Sequence, residues 1–519
     1  MTPSSAHQDT AGEAGETGEG TRDTGPAAPA EPGHRPARRR WLRDGACLLA
    51  AGTGGDGLPG RTAAAQTLPV VAPAPAAAPD GGNPPAAASS GGGGGGGGGS
   101  SPPARLRPAR VVVVGGGYAG ATAARYLRLL SNHRLEVLLI EPQRHFLSCP
   151  MSNLVLTAQL PMRAISHRYD GLRRAGVELV HDRVLAIDTA RRQLRLAGDG
   201  LPRPADAASA VGASTLPYDR LVLAPGIELD LGAVAGLPEA TARGQALHAW
   251  KAGEQTLALR QRLAALPDGG RVVITVPPVP YRCPPGPYER ASLIADWLRV
   301  HRPRAKLLVL DANPDVVSKG ALFKAVWAER YGGLLEYRPD HRLVEVDGAR
   351  GELRFDLQEP ERADLLNVLP PMRAPTLLRE TGLCGGDGRW ADTEGPAFAA
   401  RQASGVHVIG DSLRAPPGMP KSGHMANAQA KVLAAALVAE LVAEPGGQGD
   451  PGPLPLVNTC YSFVDATRAV HVASVHGWDA AQRQYLPLAG AGGLSAAPSA
   501  VEADHAWHWA RTIWADMLA

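Results

Sequence analysis

The chain has 519 residues, enough for several domains. Its 53 Lys and Arg nearly balance its 50 Asp and Glu, so a formal net charge of +3 argues against nucleic-acid binding. The five cysteines form no C-x-x-C motif and no cluster with histidines, which argues against a metal site. We also find no apolar stretch as long as a transmembrane helix.

The first 108 residues contain little that would form a core. In residues 1–66, a basic segment from Arg38 precedes a mildly apolar stretch and a small-residue site near Ala65. These features predict a twin-arginine export signal, the alternative being a basic patch in a disordered tail. Cleavage near Ala65 would remove Cys47. Residues 67–108, which include an unbroken glycine run, predict a flexible linker.

A glycine-rich turn follows the first predicted strand, residues 111–114, a short run of valines. A helix is predicted over residues 123–130 and a second strand over residues 135–140, ending at Glu141. G-x-G-x-x-G glycines let the backbone approach a pyrophosphate, the helix N-terminus attracts phosphates, and the acid accepts ribose hydroxyls. This order predicts a dinucleotide site rather than an ordinary glycine turn. The predicted contacts in the turn are Gly115, Gly117, Tyr118, Ala119 and Gly120.

Short strands and further candidate cofactor contacts follow Glu141. Cys149 lies near the expected edge of a bound dinucleotide, although a lone cysteine is more often a buried apolar residue. Residues 218–226 form an apolar strand that ends in a small-residue turn. Other short strands are predicted over residues 177–180, 184–187 and 192–197. Cofactor contacts are predicted for Val184, Ala224 and Gly226.

A second βαβ unit has the outline of a nicotinamide domain without its phosphate site. Residues 271–276 form a predicted strand, but a proline-rich loop, residues 277–287, replaces the glycine fingerprint. Proline lacks an N–H and fixes φ, so this loop cannot cradle a phosphate. A helix, residues 289–301, and a strand ending at Asp311 follow, and residues 363–369 end the unit. We therefore expect that electrons neither enter nor leave through NAD(P)H.

The segment after this unit carries two more candidate contact regions. A strand over residues 406–411 closes in Gly410 and Asp411, where an aspartate commonly binds the ribityl chain of FAD. Lys421 and Ser422 then precede a helix that runs to about residue 441. Its N-terminus would stabilise negative charge on a reduced flavin, the alternative being a well-capped structural helix.

The tail follows a breaker-rich linker, residues 445–455, and ends in a tryptophan-bearing helix, residues 506–518. Such a helix could lie on a membrane surface, but its face lacks strong basic character. We therefore expect it to pack on its own protein or on a partner.

These elements predict an α/β fold with two Rossmann-like, glutathione-reductase-like dinucleotide-binding-type domains and a small C-terminal flavin-binding or interface domain. The predicted segments are a leader with the export signal (1–66), a linker (67–108), the first part of the FAD domain (109–226), the NAD-like domain (227–370), the second part of the FAD domain (371–450) and the C-terminal domain (451–519).

Nearly all of residues 109–519 resembles the flavoprotein subunit of flavocytochrome c sulfide dehydrogenase. The most specific matches are two unusual strings, HAWKAGEQT at residues 248–256 and RCPPGPYERAS at residues 282–292. Further matches are residues 111–120, 140–142, 149, 152–153, 167–172, 224–229, 406–411, 419–423 and 458–462.

The resemblance implies roles for three cysteines. Cys149 stands where the family attaches the FAD 8α-methyl group through a thioether. Cys283 and Cys460 match the family's redox-active disulfide beside the flavin, and we expect both in loops of an exported protein whose compartment lets disulfides persist. Cys384 receives no role. Arg282 is a candidate for holding the anionic substrate, the alternative being a surface arginine.

The implied reaction is FAD-dependent oxidation of sulfide to sulfur or polysulfide. Hydrosulfide opens the disulfide and forms a persulfide, and the electrons leave through FAD to a c-type haem on a separate cytochrome subunit. This sequence has no C-x-x-C-H motif for that haem. We expect a periplasmic protein, exported by the twin-arginine route, with no nucleic-acid or membrane partner.

Three other functions stay open. A sulfide:quinone oxidoreductase would share the fold but need a quinone pocket and membrane attachment. An NAD(P)H-dependent disulfide reductase is disfavoured by the proline loop. A non-catalytic flavoprotein that supports a sulfur-oxidation system would keep the cysteines without turnover.

Overall fold

The computed structural model describes residues 107–198, 214–442 and 452–519. The predicted export signal, Cys47 and nearly all of the predicted glycine-containing linker fall on residues 1–106 and so lie outside the described residues. The domain boundaries predicted above stay predictions.

The strands are β1 (Arg110–Val114), β2 (Glu136–Ile140), β3 (His145–Leu147), β4 (Ser166–Arg168), β5 (Glu178–Val180), β6 (Val184–Asp188), β7 (Gln193–Leu196), β8 (Thr215–Pro217), β9 (Arg220–Leu223), β10 (Glu228–Leu229), β11 (Ala246–Leu247), β12 (Arg271–Val276), β13 (Lys306–Asp311), β14 (Leu335–Arg338), β15 (Leu343–Asp347), β16 (Glu352–Phe355), β17 (Glu361–Arg362), β18 (Leu365–Val368), β19 (Met372–Arg373), β20 (Thr393–Glu394), β21 (Ala399–Ala400), β22 (Val406–Val408), β23 (Leu456–Phe463), β24 (Ala469–Asp479) and β25 (Gln484–Leu494). The α-helices are α1 (Tyr118–Leu130), α2 (Ser152–Leu156), α3 (Asp170–Arg174), α4 (Leu237–Ala242), α5 (Glu254–Ala264), α6 (Gly286–His301), α7 (Gly320–Arg330), α8 (Thr376–Glu380), α9 (Gly423–Val442) and α10 (Ala500–Leu518).

A seven-stranded sheet in the order β20-β21-β22-β9-β1-β2-β5 forms the first layer of the fold. Strands β22, β9, β1, β2 and β5 are parallel, while β20 and β21 extend the edge in antiparallel pairing. The valines of β1 are buried, as expected for a parallel strand covered on both faces. Because β20–β22 follow the second unit in sequence, two separated stretches of chain build this one sheet.

A second parallel sheet, β11-β18-β12-β13-β14, lies in the segment between those stretches. Its central strand β12 has the predicted bounds, and α6 begins at Gly286, just before the predicted start. Two parallel sheets with crossover helices confirm the predicted fold class.

The C-terminal part contains three long antiparallel strands, β23-β24-β25, packed with α10. The sequence prediction missed this sheet, and Cys460 lies within β23, so the expected loop position of Cys460 is wrong. Helix α10 packs on its own chain, where Trp514 is buried against His167 and donates from Nε1 to the Tyr118 hydroxyl at 3.2 Å.

Helix α9 corrects the expectation about apolar stretches. By length and composition it is long and apolar enough to cross a membrane, which we did not expect from the sequence. More than half of it is buried inside the protein, and it packs against α1 and β23. Its apolar character therefore serves the core of this fold.

Candidate functional site

A cleft of about 830 Å³ lies at the carboxyl ends of β1, β2 and β9 and reaches the starts of α6 and α9. In open α/β sheets this edge is where ligands bind, and the volume suits a cofactor. The predicted residues Gly120, Val184 and Lys421 are not among those that line the cleft. The predicted residues that do line it are Gly115, Gly117, Tyr118, Ala119, Glu141, Cys149, Ala224, Gly226, Cys283, Gly410, Asp411, Ser422 and Cys460.

The glycine turn brings the backbone to the wall of the cleft. Gly115 has a φ of +99°, and a Cβ there would lie 2.4 Å from the Ala224 carbonyl oxygen. A Cβ on Gly120 would lie 1.8 Å from the Gly115 oxygen, so this glycine lets α1 pack closely on the turn. A Cβ on Gly117 would meet no protein atom within 4 Å. Helix α1 starts at Tyr118, five residues earlier than predicted, so its positive N-terminus adjoins the turn.

Glu141 follows β2 and faces the same turn. Its carboxylate accepts hydrogen bonds from the backbone N–H of Gly116 at 2.7 Å and of Gln143 at 2.8 Å. Each oxygen has a second acceptor site, so the fixed carboxylate can still accept a hydroxyl. The Tyr169 hydroxyl donates to the Gly116 carbonyl at 3.1 Å and so fixes the position of the turn.

The other end of the cleft is built by the end of β22 and the start of α9. Gly410, with a φ of +76°, and Asp411 follow β22 and line the cleft. Burial raises the pKa of Asp411, and the nearby Arg282 opposes that shift. The Ser422 hydroxyl accepts a hydrogen bond from the Met425 N–H at 3.1 Å and caps α9.

Lys421 lies behind this end of the cleft. Its Nζ donates to the carbonyl oxygens of Asp411, at 3.0 Å, and of Leu413, and lies 3.7 Å from the centre of the Trp390 ring. Burial lowers the pKa of Lys421 to about 7. Its ammonium group holds the loop that carries Asp411, and its predicted contact with a cofactor stays a prediction.

Cys149 lies in the loop between β3 and α2 and lines the cleft. The Ser148 hydroxyl donates to the Pro150 carbonyl at 2.7 Å and also lies 2.7 Å from the Tyr118 hydroxyl. Met151 then adopts a left-handed φ of +72° before α2 begins. These contacts fix the loop on both sides of the Cys149 thiol.

Cys283 and Cys460 come from distant parts of the sequence and face this cleft together. The Cys283 N–H donates to the Lys421 carbonyl at 2.8 Å, and the Cys460 Sγ lies 3.5 Å from Asn458 Oδ1. That oxygen also accepts from the Ser422 hydroxyl at 2.6 Å, so the segment before α9 anchors both cysteine segments. Burial and then the Cys460 sulfur raise the pKa of Cys283. Both residues are free thiols in this structure, and their pairing stays a prediction.

A buried arginine joins the two unusual strings, residues 248–256 and 282–292. Arg290 donates from Nη1 to the His248 carbonyl at 2.8 Å and from Nη2 to the Ala249 carbonyl at 2.7 Å. Its Nε donates to Asn153 Oδ1 at 3.0 Å, and its guanidinium lies 4.9 Å from the Trp250 ring centre. The two strings therefore form one wall of the cleft.

Two further charged residues near the cysteines were missed by sequence reasoning. Glu289 accepts from the Phe463 N–H and from Asn153 Nδ2, both at 3.0 Å, and burial raises its pKa. Lys319 donates from Nζ to the Cys460 carbonyl at 2.8 Å. Glu289 lies in an unusual string that could have drawn attention to it. No local pattern marks Lys319, because its position matters only once β23 is packed beside it.

The second βαβ unit fills its own ligand positions with side chains. Asp311, at the end of β13, accepts hydrogen bonds from the hydroxyls of Tyr288 at 2.7 Å and Tyr337 at 3.1 Å. Its other oxygen accepts from the N–H and the side-chain amide of Asn313 at 2.9 and 2.7 Å. Tyr281, from the proline-rich loop, is buried beside them. Asp311 stands where a nicotinamide domain would bind a ribose, and its carboxylate instead accepts hydrogen bonds from groups of the protein itself.

Three family descriptions match parts of the chain. "Sulfide dehydrogenase [flavocytochrome c] flavoprotein chain, central" matches residues 256–370, and "Flavocytochrome c sulphide dehydrogenase, flavin-binding" matches residues 453–518. "Pyridine nucleotide-disulphide oxidoreductase" matches residues 109–274.

Individual relatives agree with these matches. The flavoprotein chain of sulfide dehydrogenase [flavocytochrome c] from Chlorobaculum thiosulfatiphilum is 54% identical over 46 residues, which are 9% of this chain and 94% of that one. The mitochondrial sulfide:quinone oxidoreductase of Dictyostelium discoideum is 23% identical over 343 residues, 63% of this chain and 70% of that one. The solved sulfide:quinone oxidoreductase of Aquifex aeolicus superposes with a TM-score of 0.64 at 18% identity, covering 79% of this chain and 91% of that one, which shows the fold.

The fold and the match over residues 109–274 define the class of protein, a flavin-dependent oxidoreductase of the pyridine nucleotide-disulfide oxidoreductase type. Both segments that distinguish one family within this class also match, and a relative in that family is 54% identical over its short length. The chain therefore belongs to the family of the flavoprotein chain of flavocytochrome c sulfide dehydrogenase. It is a flavin-dependent sulfide oxidoreductase, and FAD is its cofactor.

The residues of the cleft fit FAD. The turn at Gly117 leaves a space that a Cβ would occupy, beside the N-terminus of α1, as a pyrophosphate requires. Glu141 would hold the ribose hydroxyls, Asp411 the ribityl chain, and the Ser422-capped end of α9 the pyrimidine edge.

Proposed function

We propose that this protein oxidises sulfide through a disulfide between Cys283 and Cys460 and delivers the electrons to a separate c-type cytochrome subunit. The convergence of both cysteines on the FAD-type cleft is the observation that carries the proposal. The cysteine segments share one anchor, the residues just before α9, so their positions relative to the cleft are fixed together.

The chemistry begins with thiol–disulfide exchange. Hydrosulfide forms a bond to one cysteine sulfur, the Cys–Cys bond breaks, and the electron pair leaves on the other sulfur as a thiolate. A second hydrosulfide takes the outer persulfide sulfur, which leaves as a polysulfide, and frees the cysteine thiolate. As the two cysteine sulfurs re-form their bond they release an electron pair, for which bound FAD would supply the acceptor.

Arg282 supplies positive charge where the anionic substrate arrives. It lines the cleft next to Cys283, and its guanidinium donates to the Trp250 carbonyl, which holds it in place. A fixed cation in a cleft raises the local concentration of a small anion such as hydrosulfide. Arg282→Ala should therefore slow the reaction with sulfide without changing the flavin content.

The cytochrome partner and a periplasmic location reached by the twin-arginine route complete the proposal. The similarity to the flavoprotein chain of a flavocytochrome c supports the partner. The arginine-rich segment from Arg38 supports the export route. Fusion of residues 1–66 to a reporter that is active only after export would test it, with Arg38, Arg39 and Arg40 changed to Lys as the control.

Anaerobic titration with sulfide, followed by the absorbance of oxidised flavin, tests the disulfide. The wild-type flavin should bleach, and Cys283→Ser and Cys460→Ser should each abolish bleaching because neither variant can form the disulfide. Cys384→Ser is the matched control, because Cys384 lies outside the cleft lining. Bleaching that survives in both cleft variants would refute the proposal. Bleaching without turnover of any acceptor would favour a non-catalytic partner.

Quinone is the second candidate acceptor. The similarity to a sulfide:quinone oxidoreductase over 343 residues favours it. Sulfide-dependent reduction of cytochrome c and of a short-chain ubiquinone should be compared with the same preparation. Faster reduction of cytochrome c, with no binding to liposomes, is the result we expect.

A further inference from the structure

Lys319 is a buried lysine that takes no part in the reaction proposed above. It lies between β13 and α7, only 5% exposed, in a left-handed conformation with a φ of +59°. Residues other than glycine seldom adopt that conformation, and such positions cluster at functional sites. Here the conformation aims a long side chain inward from the start of a helix.

The Lys319 ammonium is bound by neutral oxygen atoms. Nζ donates to the Cys460 carbonyl and to the Ser462 hydroxyl, both at 2.8 Å, and to the Val470 carbonyl at 3.5 Å. Within residues 107–198, 214–442 and 452–519 it forms no ion pair with a carboxylate. A buried charge without a counter-charge is unfavourable, so an anion nearby would be strongly stabilised.

The groups that interact with this charge are the two cysteines and two acids, Glu289 and Glu502. Burial lowers the pKa of Lys319 to about 8, and the Cys460 thiol, Glu289 and the Cys283 thiol, in that order, oppose this shift. Because burial also raises the pKa of Glu289, its carboxyl group is a poor permanent counter-charge. Glu502 contributes least to this shift and pairs with His471 at 2.8 Å. A cysteine thiolate is therefore the remaining candidate.

The charge of Lys319 affects the pKa values of the two cysteines unequally. Burial raises the pKa of Cys460, and Lys319 leads the groups that lower it, ahead of the side-chain contacts with Ser422 and Asn458. For Cys283, burial, Cys460 and Glu289 all raise the pKa, Arg282 leads the groups that lower it, and Lys319 contributes least. The ammonium group therefore favours negative charge on Cys460.

We propose that Lys319 is a positioning residue that directs the opening of the disulfide by stabilising the thiolate on Cys460. The inference rests on the proposed function, since it requires the Cys283–Cys460 bond. Hydrosulfide then forms its bond to the Cys283 sulfur, the bond between the cysteines breaks, and the electron pair leaves on Cys460. One negative charge enters with hydrosulfide and one remains on Cys460, beside the ammonium group.

Alkylation of the reduced holoprotein tests this role without turnover. Dithiothreitol is removed under nitrogen, iodoacetamide is added across a pH series, and peptide mass spectrometry gives the rate at each cysteine. Cys384 serves as the internal reference. In the wild type Cys460 should react faster than Cys283 near neutral pH, because only the thiolate is alkylated. Other charged or titratable groups around the pair are Arg282 in the proline-rich loop, Glu289 on α6, His424 on α9 and Glu502 on α10.

Lys319→Met should slow alkylation of Cys460 about tenfold at about pH 7, the effect of losing an opposite charge that shifts a pKa by about one unit. Lys319→Arg should retain most of the wild-type rate. Lys324→Met is the matched control, since Lys324 lies on α7 with its ammonium exposed beside Asp315. An unchanged Cys460 rate in Lys319→Met would overturn the inference.

Two measurements on the wild type keep the proposal testable if Lys319→Met does not fold. Faster alkylation of Cys283 than of Cys460 would overturn it, and so would a persulfide found on Cys460 after a single addition of sulfide. A peptide map of the oxidised protein under non-reducing conditions distinguishes a failure of the proposed function from a failure of the role of Lys319. A missing Cys283–Cys460 peptide would refute the proposed function itself, whereas its presence with an unaltered alkylation profile would refute only the role of Lys319.

Discussion

The two βαβ units of this chain share a backbone plan and differ in what fills the carboxyl ends of their strands. In β1-α1-β2, Gly117 leaves open space and Glu141 faces the cleft. In β12-α6-β13, Tyr281 from the proline loop and Tyr288 from α6 fill the corresponding place, and Tyr288 together with Tyr337 from β14 donates to Asp311. A Rossmann-like backbone thus permits a dinucleotide site, but the loop residues decide whether one exists.

The strongest test of this comparison is the choice of electron donor. Sulfide should bleach the flavin completely, whereas NADH at the same concentration should leave its absorbance unchanged, because the second unit lacks a phosphate cradle. The measurement is anaerobic spectroscopy of one preparation with each reductant. Bleaching by NADH would show that the second unit still binds a nicotinamide and would contradict the difference argued between the two units.

Two alanine substitutions in the G-x-G-x-x-G motif should distinguish a glycine that leaves room for the ligand from one that lets the backbone pack closely. Gly117→Ala should lower the flavin content at least about tenfold while the apoprotein keeps its melting temperature, because the new Cβ meets only the ligand. Gly120→Ala should reduce both, because its Cβ would lie 1.8 Å from the Gly115 oxygen.

Flavin absorbance per protein and thermal melting of the apoprotein measure the two effects. Gly493→Ala in β25 is the control, since no atom lies within 4 Å of its Cβ position. Full flavin content in Gly117→Ala would show that the turn does not contact the cofactor.

In the second unit, Tyr288→Phe should destabilise the protein by about 2 kcal/mol, the cost of leaving buried polar groups without partners. The Tyr288 hydroxyl donates to Asp311 at 2.7 Å and accepts from the Val317 N–H at 3.1 Å. Denaturant unfolding measures the change. Tyr218→Phe is the matched control, since the buried Tyr218 hydroxyl has no hydrogen-bond partner among the described residues. Equal stability of both variants would show that Asp311 does not depend on its tyrosine donors.

The smallest expected effect concerns the join between the two units, where β10 pairs with β19. Burial would raise the pKa of Glu228, but hydrogen bonds from Thr376 and the charge of Arg373 lower it to about 2. Because the folded pKa lies below the ordinary value of 4.5, its contribution is complete above that pH and is lost as the pH falls to about 2.

Glu228→Gln should therefore cost about 1 kcal/mol of unfolding free energy at neutral pH, a modest value because water partly screens the pair. The difference from the wild type should shrink as the pH falls, which urea unfolding at several pH values can follow. Glu345→Gln, in an exposed pair with Arg354, should change little. A difference that grows in acid would contradict the sign argued for Glu228.

Prediction from the sequence worked best where the signal was local and periodic. The bounds of β12 match those expected, and α9 ends one residue beyond the predicted end. The start of α1 was placed too late because glycine is a poor helix former, yet Gly120 lies inside the helix to allow close packing. The strands β24 and β25 were missed because their alanines, glycines and exposed positions give no clear alternation.

The sequence by itself determined the order strand, glycine turn, helix and acid, and that order predicts a dinucleotide site at residues 115–141. It also determined that prolines stand where the second unit would carry a glycine cradle for a phosphate, and proline has no N–H to offer. Only the tertiary structure placed Lys319 against the carbonyl of Cys460 and both cysteines at one cleft. Such contacts join residues far apart in the chain, and their geometry is set by how β23 packs beside α6 and α9, which local patterns do not encode.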